Sequence, residues 1–185
     1  MRNRFAKGIP GVVISSVMVG VCLAGDAVRS GPPPGEQVGA FQVNDITGPN
    51  RGRPLCYRCR YGPDPVICVF ARKTTESLAN LVKQIDEKIS KNFLLKSFVV
   101  LIPKKGENLA DDLKKLARDA GIRFVPLTIA ESPNGPPDYD LAPDGDFTVL
   151  MWKEGKVRVN HGFKGELTDK DIAAILADIP KVLAR

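Results

Sequence analysis

The sequence predicts an α/β protein, a central mixed β-sheet flanked by helices on both faces. Three observations carry that prediction. Pro65-Val66-Ile67-Cys68-Val69-Phe70-Ala71 and Phe98-Val99-Val100-Leu101-Ile102 are unbroken apolar runs rich in β-branched residues, as expected of strands covered on both sides. Between and after them, apolar residues recur at helical spacing. Near the C-terminus, Phe147-Thr148-Val149-Leu150-Met151-Trp152 and Lys156-Val157-Arg158-Val159 flank Lys153-Glu154-Gly155, a hairpin with glycine in its turn.

The chain opens with a segment that reads as an address and not as fold. Met1 to Gly8 carries Arg2, Arg4 and Lys7 and no acidic residue, and a short, mostly apolar run from Val12 to Ala24 follows. A charged start, a short apolar centre and a small-residue exit are the layout of a secretory signal peptide, assigned to residues 1–24 with cleavage after Ala24 or after Ala27. Spanning a bilayer takes about 20 apolar residues, so the run is short for a permanent anchor. An uncleaved anchor, or a lipoprotein acylated at Cys22, is the alternative. Residues 25–37 read as a linker, because Gly31-Pro32-Pro33-Pro34-Gly35 and its neighbours offer almost no apolar surface to bury. The folded domain is assigned to 38–185.

Within that domain, Ala40-Phe41-Gln42-Val43 alternates as an edge strand does. After the 65–71 strand, Thr74 or Thr75 caps a helix with Glu76 in its first turn and Leu78, Leu81, Val82, Ile85 and Ile89 on its inner face. Pro103 ends the second buried strand. Asn108 with Asp111 opens another helix, with Leu109, Leu113, Leu116, Ala117 and Ala120 inward and Gly121 as its C-cap. Ile122 to Ile129 reads as a third strand. Glu131 to Gly145 holds four prolines and two glycines and no periodicity, and loops of that length are functional or disordered. Thr168 with Asp171 caps a last helix bearing Ile172, Ile175, Leu176 and Ile179, which Pro180 bends or ends.

The 185 residues, 43% hydrophobic and 26% charged, suit one globular domain and exclude collagen-like, coiled-coil and wholly disordered chains. The formal charge of +6 shrinks once Arg2, Arg4 and Lys7 leave with the leader. That excess is too mild to imply nucleic acid as a partner. With the leader removed, nothing implies a membrane either, and no pattern specifies an oligomer.

Four cysteines remain to be assigned. Cys22 lies in the leader, and Cys68 sits mid-strand, where a free thiol packs as a small hydrophobe. Cys56-Tyr57-Arg58-Cys59 is the chemical signal, since a Cys-x-x-Cys pair can close a disulfide within one turn and often cycles between redox states. Pro54 suits a helix start, and Arg51, Arg53, Arg58 and Arg60 surround the pair with positive charge that favours thiolate. Cys56 is then the nucleophile and Cys59 its resolving partner. The alternative is a permanent structural disulfide, common in exported domains. No metal or cofactor is expected. Zinc wants four ligands, whereas this chain has one histidine and no second such pair, and Arg60 stands where covalent haem needs histidine. His161 reads as a solvated turn residue and Trp152 as core. Asp138, Asp140, Asp144 and Asp146 lack the regular spacing of a calcium loop and read as a solvated loop. The arginines around the cysteines are candidates to receive an anionic partner.

The element order, together with Val66–Ala71, Phe147–Trp152, Glu154-Gly155-Lys156-Val157 and Gly162…Gly165 before the last helix, resembles the thioredoxin-like fold, in its redoxin or peroxiredoxin-like branch. Gly39-Ala40-Phe41-Gln42-Val43-Asn44-Asp45 with Gly48 looks like the redoxin start, and Glu107 to Leu127 is similar to the peroxiredoxin segment after the second core strand. The resemblance covers about 38–184 and extends to exported thioredoxin-like proteins of planctomycete-type bacteria. It implies thiol–disulfide exchange with protein thiols or disulfides as partners. The departures matter as much. Where the family places its cysteines, after the first core strand, this chain reads Ala71-Arg72-Lys73-Thr74-Thr75-Glu76, and Thr74 is followed three residues on by Ser77 instead of cysteine. No proline stands at Asp146-Phe147-Thr148, where the family's cis-proline belongs. The Cys56–Cys59 motif precedes the core strand so closely that it falls at the end of the sheet opposite the usual active site. Two functions stay open: an exported thiol–disulfide oxidoreductase acting through Cys56 and Cys59, or a catalytically silent binding or scaffold module that the same pair staples.

Overall fold

Every residue of the strand Val66–Ala71 (β4) is buried, and its alternation divides the molecule. In the computed structural model, which describes residues 26–104 and 107–184, Ile67, Val69 and Ala71 face one core and Val66, Cys68 and Phe70 face another. In chain order the elements are β1 (Asp26–Ala27), β2 (Val43–Asp45), β3 (Pro54–Leu55), α1 (Tyr57–Tyr61), β4, α2 (Glu76–Lys91), β5 (Lys96–Leu101), α3 (Ala110–Ala120), β6 (Leu127–Ala130), β7 (Phe147–Lys153), β8 (Lys156–Lys164), α4 (Asp169–Ala177) and α5 (Pro180–Leu183). The strands form one sheet in the order β1-β8-β7-β4-β5-β6-β2-β3. The β4, β5 and β6 strands are parallel, and the flanking pairs are antiparallel.

The mixed sheet has helices on both faces, in unequal shares. Leu78, Leu81, Val82 and Ile85 of α2 join Leu113 of α3, Ile172 and Ile175 of α4 and Val182 of α5 in the first core. The reason is topological. The chain steps from β4 to β5 to β6 in one direction across the sheet, and right-handed crossovers then leave α2 and α3 on the same side. The second face is covered instead by α1, by Phe41 and by Tyr139 of the long 131–145 loop. Phe41 and Tyr139 meet edge-on at 5.0 Å, and Trp152 packs edge-on against Phe98 at 6.1 Å with none of its surface exposed.

Several boundaries differ from the sequence expectation. The third core strand begins at Leu127, five residues later than Ile122. The amides of Arg123, Phe124 and Val125 are taken by one buried carboxylate oxygen of Asp86 on α2 (2.6–3.1 Å), so they are unavailable to a ladder, and Pro126 has no amide to give. The strand expected at the edge over Ala40–Val43 is β2 at Val43–Asp45, and it lies inside the sheet, between β6 and the two-residue edge strand β3, while Phe41 turns into the second core. Leu109, not Asn108, is the N-cap of α3, without a side-chain cap bond; Gly121 does close that helix in the left-handed conformation (φ 69°).

The proline-rich stretch read as a linker is docked. Asp26 and Ala27 pair with β8, the Val28 amide donates to the Gly162 carbonyl (3.0 Å), and Val157 exchanges backbone bonds with Gly35 and Glu36. Ser30 is buried and hydrogen-bonded to Thr148 at 2.6 Å. Backbone groups make most of these contacts, so a composition poor in apolar side chains gave no sign of them. The leader assigned to residues 1–24 lies outside the described residues.

Candidate functional site

The cysteine pair sits where the edge strand β3 turns into α1. Cys56 is the N-cap of this five-residue helix, in extended conformation, and its Sγ accepts a hydrogen bond from the Cys59 amide at 3.1 Å. Cys56 and Cys59 form a disulfide, with S–S 2.05 Å and Cα–Cα 5.3 Å. Cys59 is exposed, whereas Cys56 is half-buried. The residue between them that matters for position is Tyr57. It is 1% exposed, stacks on Phe98 at 5.2 Å and donates its hydroxyl to Asp45 Oδ2 at 2.9 Å.

Asp45 is fully buried at the end of β2, and it organises the loop leading to the cysteines. Its two oxygens accept the amides of Gly48 (2.7 Å) and Asn50 (2.8 Å) besides the Tyr57 hydroxyl. A side chain at position 48 would collide with the Tyr57 hydroxyl and the Asp45 carboxylate, so glycine is required there by close approach. Burial, then the neighbouring Asp45, push the Tyr57 phenol far above its ordinary range, so it stays a donor. Tyr61, whose phenol burial also raises, packs on Tyr57 at 5.3 Å and donates to the Ser97 carbonyl at 3.3 Å. The inner side of α1 is therefore fixed by two tyrosines while Cys59 and Arg60 face solvent.

Two of the four arginines are bonded to backbone carbonyls. Arg58 Nε donates to the Val38 carbonyl at 3.2 Å, and its guanidinium lies over Gly155 in the β7–β8 turn. Arg51 Nε donates to the Gly48 carbonyl at 3.3 Å. This corrects the expectation of a complete cationic ring around Cys56, since Arg51 closes a local turn and Arg58 ties α1 to the segment before β2. The Cys59 amide is the polar group bonded to the Cys56 sulfur.

α1 leads through Gly62–Asp64 to the N-terminal end of β4, where the Glu154 amide donates to the Pro63 carbonyl. The pair thus occupies the second face, towards the end of the sheet where β4 begins. The helix start at Thr74–Thr75 follows the other end of the same strand. There the usual cysteine position is filled by a closed polar network. Thr75 caps α2 by accepting from the Leu78 amide (3.2 Å), Ser77 donates to Glu166 (2.6 Å), and Lys73 bridges Asp146 (3.2 Å) and Glu166 (4.0 Å). Arg72 donates to the carbonyls of Pro133, Ala142 and Gly145 and so pins the 131–145 loop over the sheet. Among the described residues there is no cis peptide bond. Thr75→Ala is accordingly expected to cost about 0.5–2 kcal/mol in urea melts, Thr74→Ala less, and neither change should alter the reduction potential of the disulfide.

Cys68 is buried, and desolvation pushes its thiol well above the ordinary value, which makes it inert. His161 is not a turn residue: β8 runs on to Lys164, and the imidazole is half-buried, 3.0 Å from Asp178 and stacked on Phe163. Asp144 and Asp146 are paired with Lys164 and Lys73. Sequence reasoning missed Asp45, Tyr57 and Arg72. An aspartate three residues before a glycine, at the mouth of a loop, was the available signal for the first.

No protein-family model and no curated protein sequence matches the chain. Solved structures do. A proposed protein disulfide isomerase from Bacteroides thetaiotaomicron superposes with TM-score 0.62 at 12% identity, over 88% of this chain and 96% of that one. A proposed thiol:disulfide interchange protein from Chlorobium tepidum gives 0.58 at 17% identity, over 82% and 99%. A thiol peroxidase from Chromobacterium violaceum gives 0.56 at 12%, over 85% and 91%. At these identities the likeness concerns the fold.

Proposed function

We propose, from the premise that the chain has the thioredoxin-like fold, that it exchanges disulfides with protein thiols through the displaced pair Cys56–Cys59. The observation that carries this reading is the asymmetry of the two cysteines on a turn held by Tyr57 and Tyr61. Cys59 is exposed, and Cys56 is half-buried with an amide donating to its sulfur. An incoming substrate thiolate meets Cys59 first. Its attack on Cys59 Sγ forms a mixed disulfide and breaks the Cys56–Cys59 bond. Cys56 departs as thiolate, where the hydrogen bond favours it. A second substrate thiolate then attacks the substrate sulfur of the mixed disulfide and releases Cys59. The substrate gains a disulfide, and the pair is left as two thiols. The reverse sequence reduces a substrate disulfide. The order of the sulfurs is opposite to the sequence expectation that Cys56 attacks first.

One observation favours the silent alternative. The pair lies away from the helix start the fold normally uses, and Tyr57 and Tyr61 already hold α1 in place. A staple closing so short a ring contributes roughly 2 kcal/mol by chain entropy. A redox titration separates the two. A pair built for exchange should equilibrate with glutathione buffers, at roughly −270 to −120 mV, whereas a structural disulfide lies below about −300 mV. A pair that glutathione leaves oxidised would retire the exchange reading in favour of the staple.

Export belongs to the same proposal. No helix among the described residues is long and apolar enough to cross a membrane. The basic start and short apolar run of residues 1–24 support a cleaved leader. N-terminal sequencing of secreted material should return Gly25 or Val28 as the first residue. Recovery of Met1, or of lipidated Cys22, would contradict it.

A further inference from the structure

The arginine-rich run before the cysteines leaves one cation unexplained by the turn it closes. Arg51 is bonded to the Gly48 carbonyl. It lines two adjoining hollows, of about 260 and 340 Å³, that also share Thr47 and Ile122. The hollows lie between the β2–β3 loop and the segment that runs from the end of α3 into β6. Arg123 lines one of them, Lys114 and Arg118 the other, and no carboxylate lines either. Apolar side chains line the hollows as well: Ile122 is half-buried, and Phe124 is 44% exposed beneath the Arg123 guanidinium, 5.8 Å from its ring centre. By contrast, the hollow between α2 and α3 is lined by acidic and basic residues alike.

We infer that this groove docks an acidic, partly apolar segment of a partner protein. Charge complementarity argues for that occupant. Arg51 joins Arg123 and the exposed Phe124 ring in one hollow and Lys114 and Arg118 in the other, a combination that favours carboxylates interspersed with apolar side chains. Among the described residues Lys114 and Arg118 form exposed ion pairs to Asp111 (2.9 Å) and Asp119 (3.7 Å), which a partner's carboxylates can exchange at little cost. The groove also stands in a useful place. One wall is the loop that Asp45 organises, and β3, the edge strand of the sheet, leads from that loop straight into Cys56. A segment bound in the groove and continuing along this edge is directed to the exposed Cys59. The delivery of that segment to the sulfurs rests on the exchange reading proposed above; the docking itself does not.

The test uses the full chain and a cysteine-free, fluorescein-labelled peptide of alternating glutamate and leucine, followed by anisotropy. The peptide should bind, more weakly as salt rises, and a lysine–leucine peptide should not. Lys114→Glu/Arg118→Glu/Arg123→Glu should weaken binding by about tenfold or more and reverse the preference between the peptides. Arg123→Glu alone keeps the assay interpretable if the triple variant melts early, and it should weaken binding by a smaller factor. Lys83→Glu, outside the groove, should leave binding unchanged. Equal binding by wild type and the groove variants, no binding by wild type, or displacement of the peptide by inorganic phosphate, anionic vesicles or an RNA oligonucleotide would overturn the inference. A parallel measurement with cysteine-bearing versions of both peptides scores mixed-disulfide formation. Binding without exchange would sustain the groove and remove the exchange function. Exchange without charge preference would do the opposite.

Discussion

Asp45→Ala is expected to lower stability by roughly 3–4 kcal/mol, the largest loss from any single substitution considered. The carboxylate is fully buried and accepts three hydrogen bonds, two of them, from the Gly48 amide and the Tyr57 hydroxyl, in buried surroundings. Alanine leaves those donors without an acceptor, and each buried orphan costs roughly 1–3 kcal/mol. The Asn50 amide is only part-buried and can turn to water, which keeps the total below the simple sum. Tyr57→Phe is the control. It removes one hydroxyl and keeps the ring on Phe98, so about 0.5–1.5 kcal/mol is expected. Urea unfolding of both variants measures the difference. A loss below 1 kcal/mol for Asp45→Ala would mean that the 46–53 loop is not held by this carboxylate.

The second large effect is on turnover. Cys59→Ser is expected to abolish reduction of insulin-type disulfides, and Cys56→Ser to trap a mixed disulfide between Cys59 and the substrate. Both variants lose the same disulfide, so both lose the same staple, about 2 kcal/mol, and stability cannot account for a difference between them. What differs is access. Cys59 is the more exposed residue of the pair, and without Cys56 the described residues offer only the buried Cys68 to resolve the adduct. Non-reducing gels followed by mass spectrometry identify the trapped cysteine. Adducts on Cys56 in the Cys59→Ser protein would restore the order expected from sequence alone. Full activity in both variants would place the chemistry elsewhere.

Much of the fold was legible because it is written in local patterns. The apolar runs of β4 and β5, the Glu154–Gly155 turn and the Thr168–Asp171 capping box all appear where periodicity and cap residues put them. What escaped depends on contacts remote in sequence. The two-residue strands β1 and β3 carry no period, and β1 exists only because β8 offers it an edge. The late start of β6 is decided by Asp86, on a helix nearly forty residues earlier. The cysteine pair itself was visible, as was its placement away from the Thr75 helix start. Its electrostatics were not, because no pattern announces that Arg58 turns to Val38 and that Arg51 faces a groove. Roles within the pair turn on exposure, which a four-residue motif does not encode.

The single tryptophan gives the second face an optical handle. Trp152 is fully enclosed and packs edge-on to Phe98, the ring on which Tyr57 stacks beside Cys56. Emission from that one indole is therefore a label-free gauge of whether α1 stays seated. A blue, salt-insensitive spectrum that persists after reduction means that the turn opens its sulfurs without lifting from the sheet. A red shift on adding reductant means that water has reached the indole and the layer has parted.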